Sequence, residues 1–285
     1  MAFMYYRVKD RDAGGSGADR EISRQGEASL ANARNGAGEV VGTINNGIIA
    51  PKVNTQGNKQ GGSFFSVHRA FLPYYIPSRF DLAIEDPYSY FTNDSTWTLN
   101  VYRALLQTRS AGTTESTAGV VRYYLNKVKL VQADANAPIN PPIGTPTFSD
   151  FDNIWPSNDS ANDPVSYDDY SGYPISATIN TLNQIELNAT AINHINQLFG
   201  SDQGGQFTIC MMNYDHDYLN SDPNLIYNVA GQSTKQYIGQ ARMYSSDVAT
   251  GVSYEPLLYL YWNKTRGKIV MQQGKTVITQ GKVTL

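Results

Sequence analysis

The chain has 285 residues, of which 41% are hydrophobic and only 16% charged, and its formal net charge is −3. A chain of this length can bury a full core. The slight excess of acid argues against a nucleic-acid partner, because neutralising phosphates requires a surplus of Lys and Arg. No apolar run approaches the roughly 18 residues of a membrane-spanning helix, so we expect no membrane partner either.

The composition is typical of an all-β protein. Tyrosine, of which there are 20, suits strands, and aspartate, which is more than twice as common as glutamate, suits turns. Cys210 stands alone, which excludes an intrachain disulfide. The first residues lack the apolar region and the cleavage site of a secretory signal, so we expect synthesis in the cytoplasm without an export signal.

Residues 1–62 are rich in glycine and hold few large apolar residues after Tyr6. They show no sustained period of 3.6 or 2.0, so a core of their own is not expected. We predict an N-terminal assembly arm with one short helix or strand, ordered only against another surface. A disordered tail is the alternative.

From Phe64 onward, short apolar runs alternate with turns. In STWTLNVYRALL, Trp97, Leu99 and Val101 recur with a period of two, which predicts a half-buried strand. Further strands are predicted in SFFSVHRAFLPYYIPS, GVVRYYLNKVKLVQA, QFTICMMNY, KQYIGQARMYSS and SYEPLLYLYW. Residues 132–174 are too many to lack structure, and we expect one or two short strands and an exposed functional surface there.

One helix is predicted, in NATAINHINQLFG. Asn188 suits the N-cap, Gly200 suits the position just after the helix, and Ile192, Ile195 and Phe199 recur at helical spacing.

The run of residues 257–262 is apolar or aromatic on both faces, so we expect a strand that is at least partly covered on both sides. The polar residues 263–285 repeat a Gly-Lys pair every seven residues, beginning at 267, 274 and 281. Seven is too long for a tight hairpin repeat, so we interpret the region as extended segments able to add to an exposed sheet edge. Chance recurrence of Gly and Lys is the alternative.

The order of several segments resembles the jelly-roll domain of phage virion structural proteins, which is similar in shape to carbohydrate-binding modules and related to adhesin-like domains. The segments are HRAFLPYYIPS, TFSDFDNIW, IELNATAINHINQLFG, FTICMMNYDHDY and YIGQARMYSSDVATGVSYEPLLYLYW. The matching positions are Arg69, Phe71, Leu72, Ile76, Pro77, Phe148, Asp150, Asp152, Leu187, Asn188, Ile195, Pro256, Leu258, Leu260 and Tyr261. The DNRLRE signature of one branch of these domains is absent, and residues 1–62 and 263–285 lie outside the resemblance.

The resemblance implies an all-β fold: an antiparallel jelly-roll sandwich over residues 63–262 with one short helix. It also implies that the last strand of the sandwich, 257–262, lies in the middle of a sheet. The N-terminal arm (1–62) and a C-terminal arm (263–285) would flank it. It also implies a non-enzymatic virion protein, a capsid decoration or a fibre or vertex protein attached to the head or tail. Such a protein would form a homo-oligomer and contact capsid, portal or tail proteins through both arms.

Three alternatives remain at this point. The chain could be a host-surface glycan- or receptor-binding module of a virion, or a jelly-roll major capsid protein. A secreted bacterial adhesin is the third, which the missing signal disfavours.

The sequence offers no catalytic constellation. His68, His194 and His216 lie far apart without metal-ligand spacing, and neither a nucleophile elbow nor a phosphate-binding loop is present. We therefore expect no enzymatic activity, no catalytic residue and no cofactor.

Two sets of side chains are candidates for ligand binding. Oxygen-rich turns suit Ca²⁺, and they contain Asp150, Asp152, Asp163, Asp168, Asp169, Asp215, Asp217 and Asp222. Stacking rings beside a hydroxyl acceptor suit a glycan, and SYDDYSGYP offers Tyr167, Asp168, Tyr170 and Tyr173. The alternatives are ordinary turn aspartates without an EF-hand pattern and tyrosines that fill sheet faces.

Overall fold

A computed structural model describes residues 4–8, 20–42, 47–57, 63–78, 82, 97–112, 116–118, 121–139, 148–158, 160, 163–223, 235–245, 254, 256–266, 268–272 and 275–279. These residues are mostly strand, so the predicted all-β class is confirmed.

The described residues form 18 strands. They are β1 (Met4–Val8), β2 (Arg20–Glu27), β3 (Val40–Gly42), β4 (Ile48–Ile49), β5 (Lys52–Gly57), β6 (Ser63–Ile76), β7 (Trp97–Arg109), β8 (Ser116–Ala118), β9 (Val121–Leu125), β10 (Lys127–Gln132), β11 (Tyr173–Pro174), β12 (Leu182–Glu186), β13 (Gly205–Asn213), β14 (Lys235–Gln240), β15 (Met243–Tyr244), β16 (Leu257–Arg266), β17 (Lys268–Gln272) and β18 (Lys275–Thr279). The helical elements are α1 (Leu30–Arg34), α2 (Ala189–Leu198), 3₁₀ turns at Phe148–Phe151 and Pro156–Asn158, and a π-helical segment at Tyr214–Tyr218.

The smaller sheet has four antiparallel strands in the order β1-β16-β7-β12. The apolar run of β16 lies in the middle of this sheet, as predicted, and buries Leu258, Leu260 and Trp262 in the core. In β7, Val101 is buried and Leu99 packs against the core, which confirms the predicted alternation. The side chain of Trp97 lies outside the described residues.

The larger sheet is mixed. Its main path is β11-β10-β13-β6-β5-β14-β9-β8, and β2, which also pairs with β3, lies on the other edge of β6. All pairs are antiparallel except β14 with β9. The expectation of an antiparallel sandwich is therefore confirmed for the smaller sheet and wrong for the larger one at the pair of β14 and β9. The reason is that β9 and β10 are nearly one strand, and its two halves take neighbours, β14 and β13, that run in opposite directions.

The two sheets share an apolar core. Leu106, Ile185 and Leu260 of the smaller sheet meet Leu72 and Ile209 of the larger one. Helix α2 closes one part of this core with three buried side chains, those of Ala191, Ile195 and Leu198. Its N-cap is Asn188, whose side chain accepts the N–H of Ala191, and Gly200 follows with φ of 69°, as predicted.

A second apolar core covers the outer face of the larger sheet. Strand β6 alternates between the two cores, with Val67 and Phe71 in the outer one. Ile22 of β2, Ala33 of α1 and Trp155 complete the outer core, and all three are fully buried. The larger sheet is thus apolar on both faces, which explains the unbroken hydrophobic run of β13.

The expectation that residues 1–62 form an arm outside the sandwich differs from this packing. Strands β2 and β5 pair with β6, and α1 lies on the outer face of the sheet. The region is poor in large apolar residues because it supplies only one side of a shared core. Likewise, the region 132–174, expected to hold an exposed surface, contributes to the core: Phe151, Ile154, Trp155 and Tyr167 are buried, whereas Phe148 and Ser149 are exposed. The region contains the 3₁₀ turn Phe148–Phe151 and β11, a short strand of the kind expected there.

The C-terminal region also differs from the prediction. Strand β16 continues past Trp262 to Arg266, paired with β7 throughout. Strands β17 and β18 then pair with each other as an antiparallel hairpin, although the spacing of seven argued against one. Lys268 and Lys275 of the first two Gly-Lys pairs begin these strands, and the third pair, beginning at 281, lies outside the described residues.

Candidate functional site

The centre of the outer core is an ion pair with no exposure to solvent. Arg69 of β6 donates from Nε and Nη2 to the two carboxylate oxygens of Asp217, both at 2.8 Å. Both side chains are fully buried. This bidentate geometry matches the planar guanidinium to the carboxylate, which is the strongest form of such a pair.

The remaining contacts of Arg69 connect it to separate parts of the chain. Its guanidinium donates to the carbonyl of Phe151 and, at 3.1 Å, to the carbonyl of Arg34. It also lies over the rings of Phe151 and Trp155, at 4.0 and 5.0 Å from their centroids. One side chain of β6 therefore holds α1, the segment 148–155 and the π-helical segment against the sheet. We call Arg34, Arg69, Phe151, Trp155 and Asp217 the arginine cluster.

Arg34 is the second cation of the cluster. It donates to the main-chain oxygen of Asp217 at 2.7 Å, and its own carbonyl, at the end of α1, accepts the indole N–H of Trp155. Helix ends leave carbonyls without intrahelical partners, and here Arg69 and Trp155 satisfy one of them. Burial lowers the pKa of Arg34 from its ordinary value, and Asp217 acts in the opposite direction.

The π-helical segment brings Asp217 to this position. Asn213 ends β13 and its side chain accepts the N–H of His216 at 3.0 Å, and the N–H of Leu219 donates to the carbonyl of Tyr214, five residues back. Turns of this width are rare and are often found at functional sites. In this protein the turn directs a carboxylate into the outer core.

A second buried ion pair joins Lys129 and Asp168. The Lys129 ammonium is 2.8 Å from Asp168 Oδ1 and also donates to the carbonyl of Tyr170. The other carboxylate oxygen of Asp168 accepts the N–H of Leu130 at 2.7 Å. Asp168 is therefore fully occupied in holding the segment 166–170 against β10.

The glycan prediction is wrong for two of its four residues. Tyr167 is fully buried, stacks on Phe207 and has its hydroxyl 3.0 Å from Nδ1 of His194. Asp168 is buried in its ion pair. Tyr170 and Tyr173 remain candidates, because Tyr170 is exposed and the two rings meet edge to face with centroids 5.1 Å apart.

The aspartates proposed for Ca²⁺ lie in different places. Asp217 and Asp168 are neutralised by basic side chains. Asp150 is buried near Asn153, and Asp215 accepts the N–H of Lys127. Asp152, Asp163, Asp169 and Asp222 lie at least partly at the surface. Within the described part of the chain, no three acidic, His or Cys side chains are grouped as metal ligands.

A third polar cluster lies where β9 passes into β10, because β9 pairs with β14 whereas β10 pairs with β13. The Asn213 side chain donates to the carbonyl of Gly239 in β14, and the N–H of Asn126 donates to the carbonyl of Gln240. The hydroxyl oxygen of Tyr237 is 2.6 Å from Nε2 of His216. The Asn213 side chain and the main-chain N–H of Asn126 thus join β14 to the place where β13 ends and β10 begins.

A fourth cluster fixes β2 beside β6. Nδ1 of His68 is 2.7 Å from Glu21, which also accepts the N–H of Ala50 and lies 3.2 Å from Lys52. Burial lowers the pKa of His68, although Glu21 opposes the shift. Burial alone would raise the pKa of Glu21, but the hydrogen bond from His68 and the charges of His68 and Lys52 outweigh it, so its pKa is lowered.

Comparison with known proteins found no matching family model, no matching curated protein and no matching solved structure. In the described residues, no helix has the length and hydropathy to cross a bilayer. Cys210 lies in the outer core, where burial raises the pKa of its thiol, so it packs as a small apolar side chain.

The arginine cluster yields a prediction about stability. Changing Arg69 to Met leaves Asp217 buried without its bidentate partner, and we expect the free energy of unfolding to fall by about 3–5 kcal/mol. The matched control is Arg103→Met, because Arg103 forms a similar pair with Glu186 that is half exposed. Its cost should stay below about 1 kcal/mol. Urea denaturation measures both, and equal costs would contradict a structural role for the buried pair.

The His68 cluster predicts a dependence on pH. Because the folded protein lowers the pKa of His68, the unfolded chain binds more protons as the pH falls below about 6.5. The free energy of unfolding should therefore decrease from about pH 7.5 to pH 5.5, and Glu21 extends the loss to more acidic pH. Urea denaturation across this range should show a shallower slope for His68→Gln. A slope that is unchanged in the variant would rule out the His68 contribution.

Proposed function

We propose that this protein is a non-enzymatic structural component of a bacteriophage virion, whose β-sandwich is a jelly roll. The observation that carries the structural role is that two buried acids of the candidate sites, Asp168 and Asp217, are engaged in ion pairs within the protein. Asp217 forms an ion pair with Arg69, and Asp168 forms one with Lys129. Side chains used in this way stabilise packing and are not free to transfer protons to a substrate.

The jelly roll is supported by the arrangement of the sheets. Strand β16 lies between β1 and β7, and two sheets that are largely antiparallel enclose one core. The order of segments that resembles phage virion domains supports the setting. The parallel pair of β14 and β9 and the layer on the outer face are additions to the simple jelly-roll pattern.

The role within the particle is proposed to be a capsid decoration, or a fibre or vertex protein attached to the head or tail. Such a protein would be assembled in the host cytoplasm and would contact capsid, portal or tail proteins. A jelly-roll major capsid protein shares the same fold, and its copy number in the particle distinguishes it.

Purified particles provide the test. We expect the protein to co-sediment with DNA-filled particles in a density gradient, with fewer copies than the most abundant shell protein by quantitative mass spectrometry. A copy number equal to that of the shell would assign it as the major capsid protein. Recovery only in the soluble fraction would contradict a virion role.

A glycan-binding module is the second candidate, and the Tyr170–Tyr173 pair favours it. The turn that presents Tyr170 is held at two points. The main-chain N–H of Tyr170 donates to the Asp168 carboxylate, and the carbonyl of Tyr170 accepts from the Lys129 ammonium. Exposed rings held in this way could stack on sugars.

A glycan array tests this candidate. The Tyr170→Ala variant should lose about tenfold in affinity for any glycan that the parent protein binds. Tyr102→Ala is the control, since Tyr102 is similarly exposed on the smaller sheet. Equal binding by both variants would exclude the pair as a glycan site.

A further inference from the structure

The charges of the chain are separated along the sequence. Residues 263–285 hold five basic residues, Lys264, Arg266, Lys268, Lys275 and Lys282, and no Asp or Glu. Removing these five from the 22 basic residues leaves 17 against all 25 acidic residues, so residues 1–262 carry a formal charge of −8. The net charge of −3 is therefore the sum of a basic C-terminal region, residues 263–285, and an acidic body, residues 1–262.

The basic end contains an antiparallel hairpin of two strands. In the described residues, β17 and β18 pair only with each other. Their register pairs Lys275 with Gln272, and Gln272 is four residues after Lys268, so the two Lys positions belong to the same face of the hairpin, about 13 Å apart. A two-stranded hairpin is only marginally stable in water by itself. It would therefore gain stability from docking on another surface.

The body offers an acidic surface around the π-helical segment. Three carboxylates lie there and form no ion pair with any described residue: Asp163, Asp215 and Asp222. We call these three the acidic rim. Asp215 belongs to the π-helical segment, and the carbonyl oxygen of Ser221, the neighbour of Asp222, is 2.8 Å from Nδ1 of His216 in that segment. Burial raises the pKa of Tyr218 and the charge of Asp163 adds to this shift, so Asp163 lies near the same segment.

The rim keeps an excess of negative charge. Asp163 and Asp222 are exposed, and Asp215 is partly exposed. Lys127 is the neighbouring exposed cation, with Nζ 6.0 Å from the centroid of the Tyr214 ring. Lys129 is already paired with Asp168.

We propose that the C-terminal hairpin of one copy docks on the acidic rim of a second copy. The hairpin and the rim have opposite charges, and both occur once in every chain. Each copy can therefore dock its hairpin on one neighbour and receive the hairpin of another. A contact between two different surfaces is heterologous, and repetition of it produces closed rings or open chains of subunits. This inference does not depend on a virion role, because it concerns the purified protein alone.

Sedimentation of the full-length protein tests the proposal. At about 0.05 M salt we expect self-association that weakens at about 0.5 M salt, because added ions screen exposed charges. The double variant Lys268→Glu/Lys275→Glu should associate about tenfold more weakly, because each exposed charge pair in an interface changes the association constant by a few-fold. Lys268→Arg/Lys275→Arg is the matched control and should associate like the parent protein.

A charge exchange makes the test specific to the rim. The variant Asp163→Lys/Asp222→Lys should also associate weakly by itself, and mixing it with Lys268→Glu/Lys275→Glu should restore association. Circular dichroism checks that both variants remain folded. Undiminished association of the Glu variant, or no recovery in the mixture, would overturn the proposal.

Binding to a different partner would overturn it as well. Fluorescence anisotropy with a labelled DNA or RNA oligonucleotide measures whether the basic end binds nucleic acid. A parent protein that stays monomeric at low salt but binds the oligonucleotide through Lys268 and Lys275 would replace a second copy with nucleic acid as the partner. The particle test of the proposed function is unaffected by either result.

Discussion

The buried pair of Arg69 and Asp217 is the interaction on which the outer half of the structure depends. A buried charge without a partner is costly, so each of these residues requires the other. Arg69 belongs to the central strand β6, whereas Asp217 belongs to the π-helical segment, and the remaining donors of Arg69 go to α1 and to the segment 148–155. A single guanidinium thus specifies where three irregular segments lie on a regular sheet.

This arrangement explains why the larger sheet can be apolar on both faces. The inner face packs against the smaller sheet and α2, and the outer face packs against α1 and Trp155. A sheet without the outer layer would expose Val67 and Phe71. The polar pairs beneath that layer add little net stability over apolar residues, but they permit one placement of the segments.

The regular elements could be predicted from the sequence because their patterns are local. The apolar run of β16, the alternation in β7 and the cap of α2 each follow from neighbouring residues. The outer layer could not be predicted this way, because Arg34 meets Asp217 across 183 positions of sequence. The adjacent residues Asp168 and Asp169 show the same limit: one is buried on Lys129 and the other is exposed, although their local sequence is nearly the same. A charged residue inside an apolar strand, as Arg69 is within SFFSVHRAFL, was the available signal for a buried pair.

Hydrogen–deuterium exchange of the full chain tests the central claim most directly. In the parent protein, peptides from residues 20–34 and 148–155 should be protected, as β16 is. In Asp217→Asn, which keeps the shape but removes the charge, these two regions should exchange much faster while β7 and β16 remain protected. Free exchange of residues 20–34 in the parent protein, or an unchanged pattern in the variant, would contradict the account.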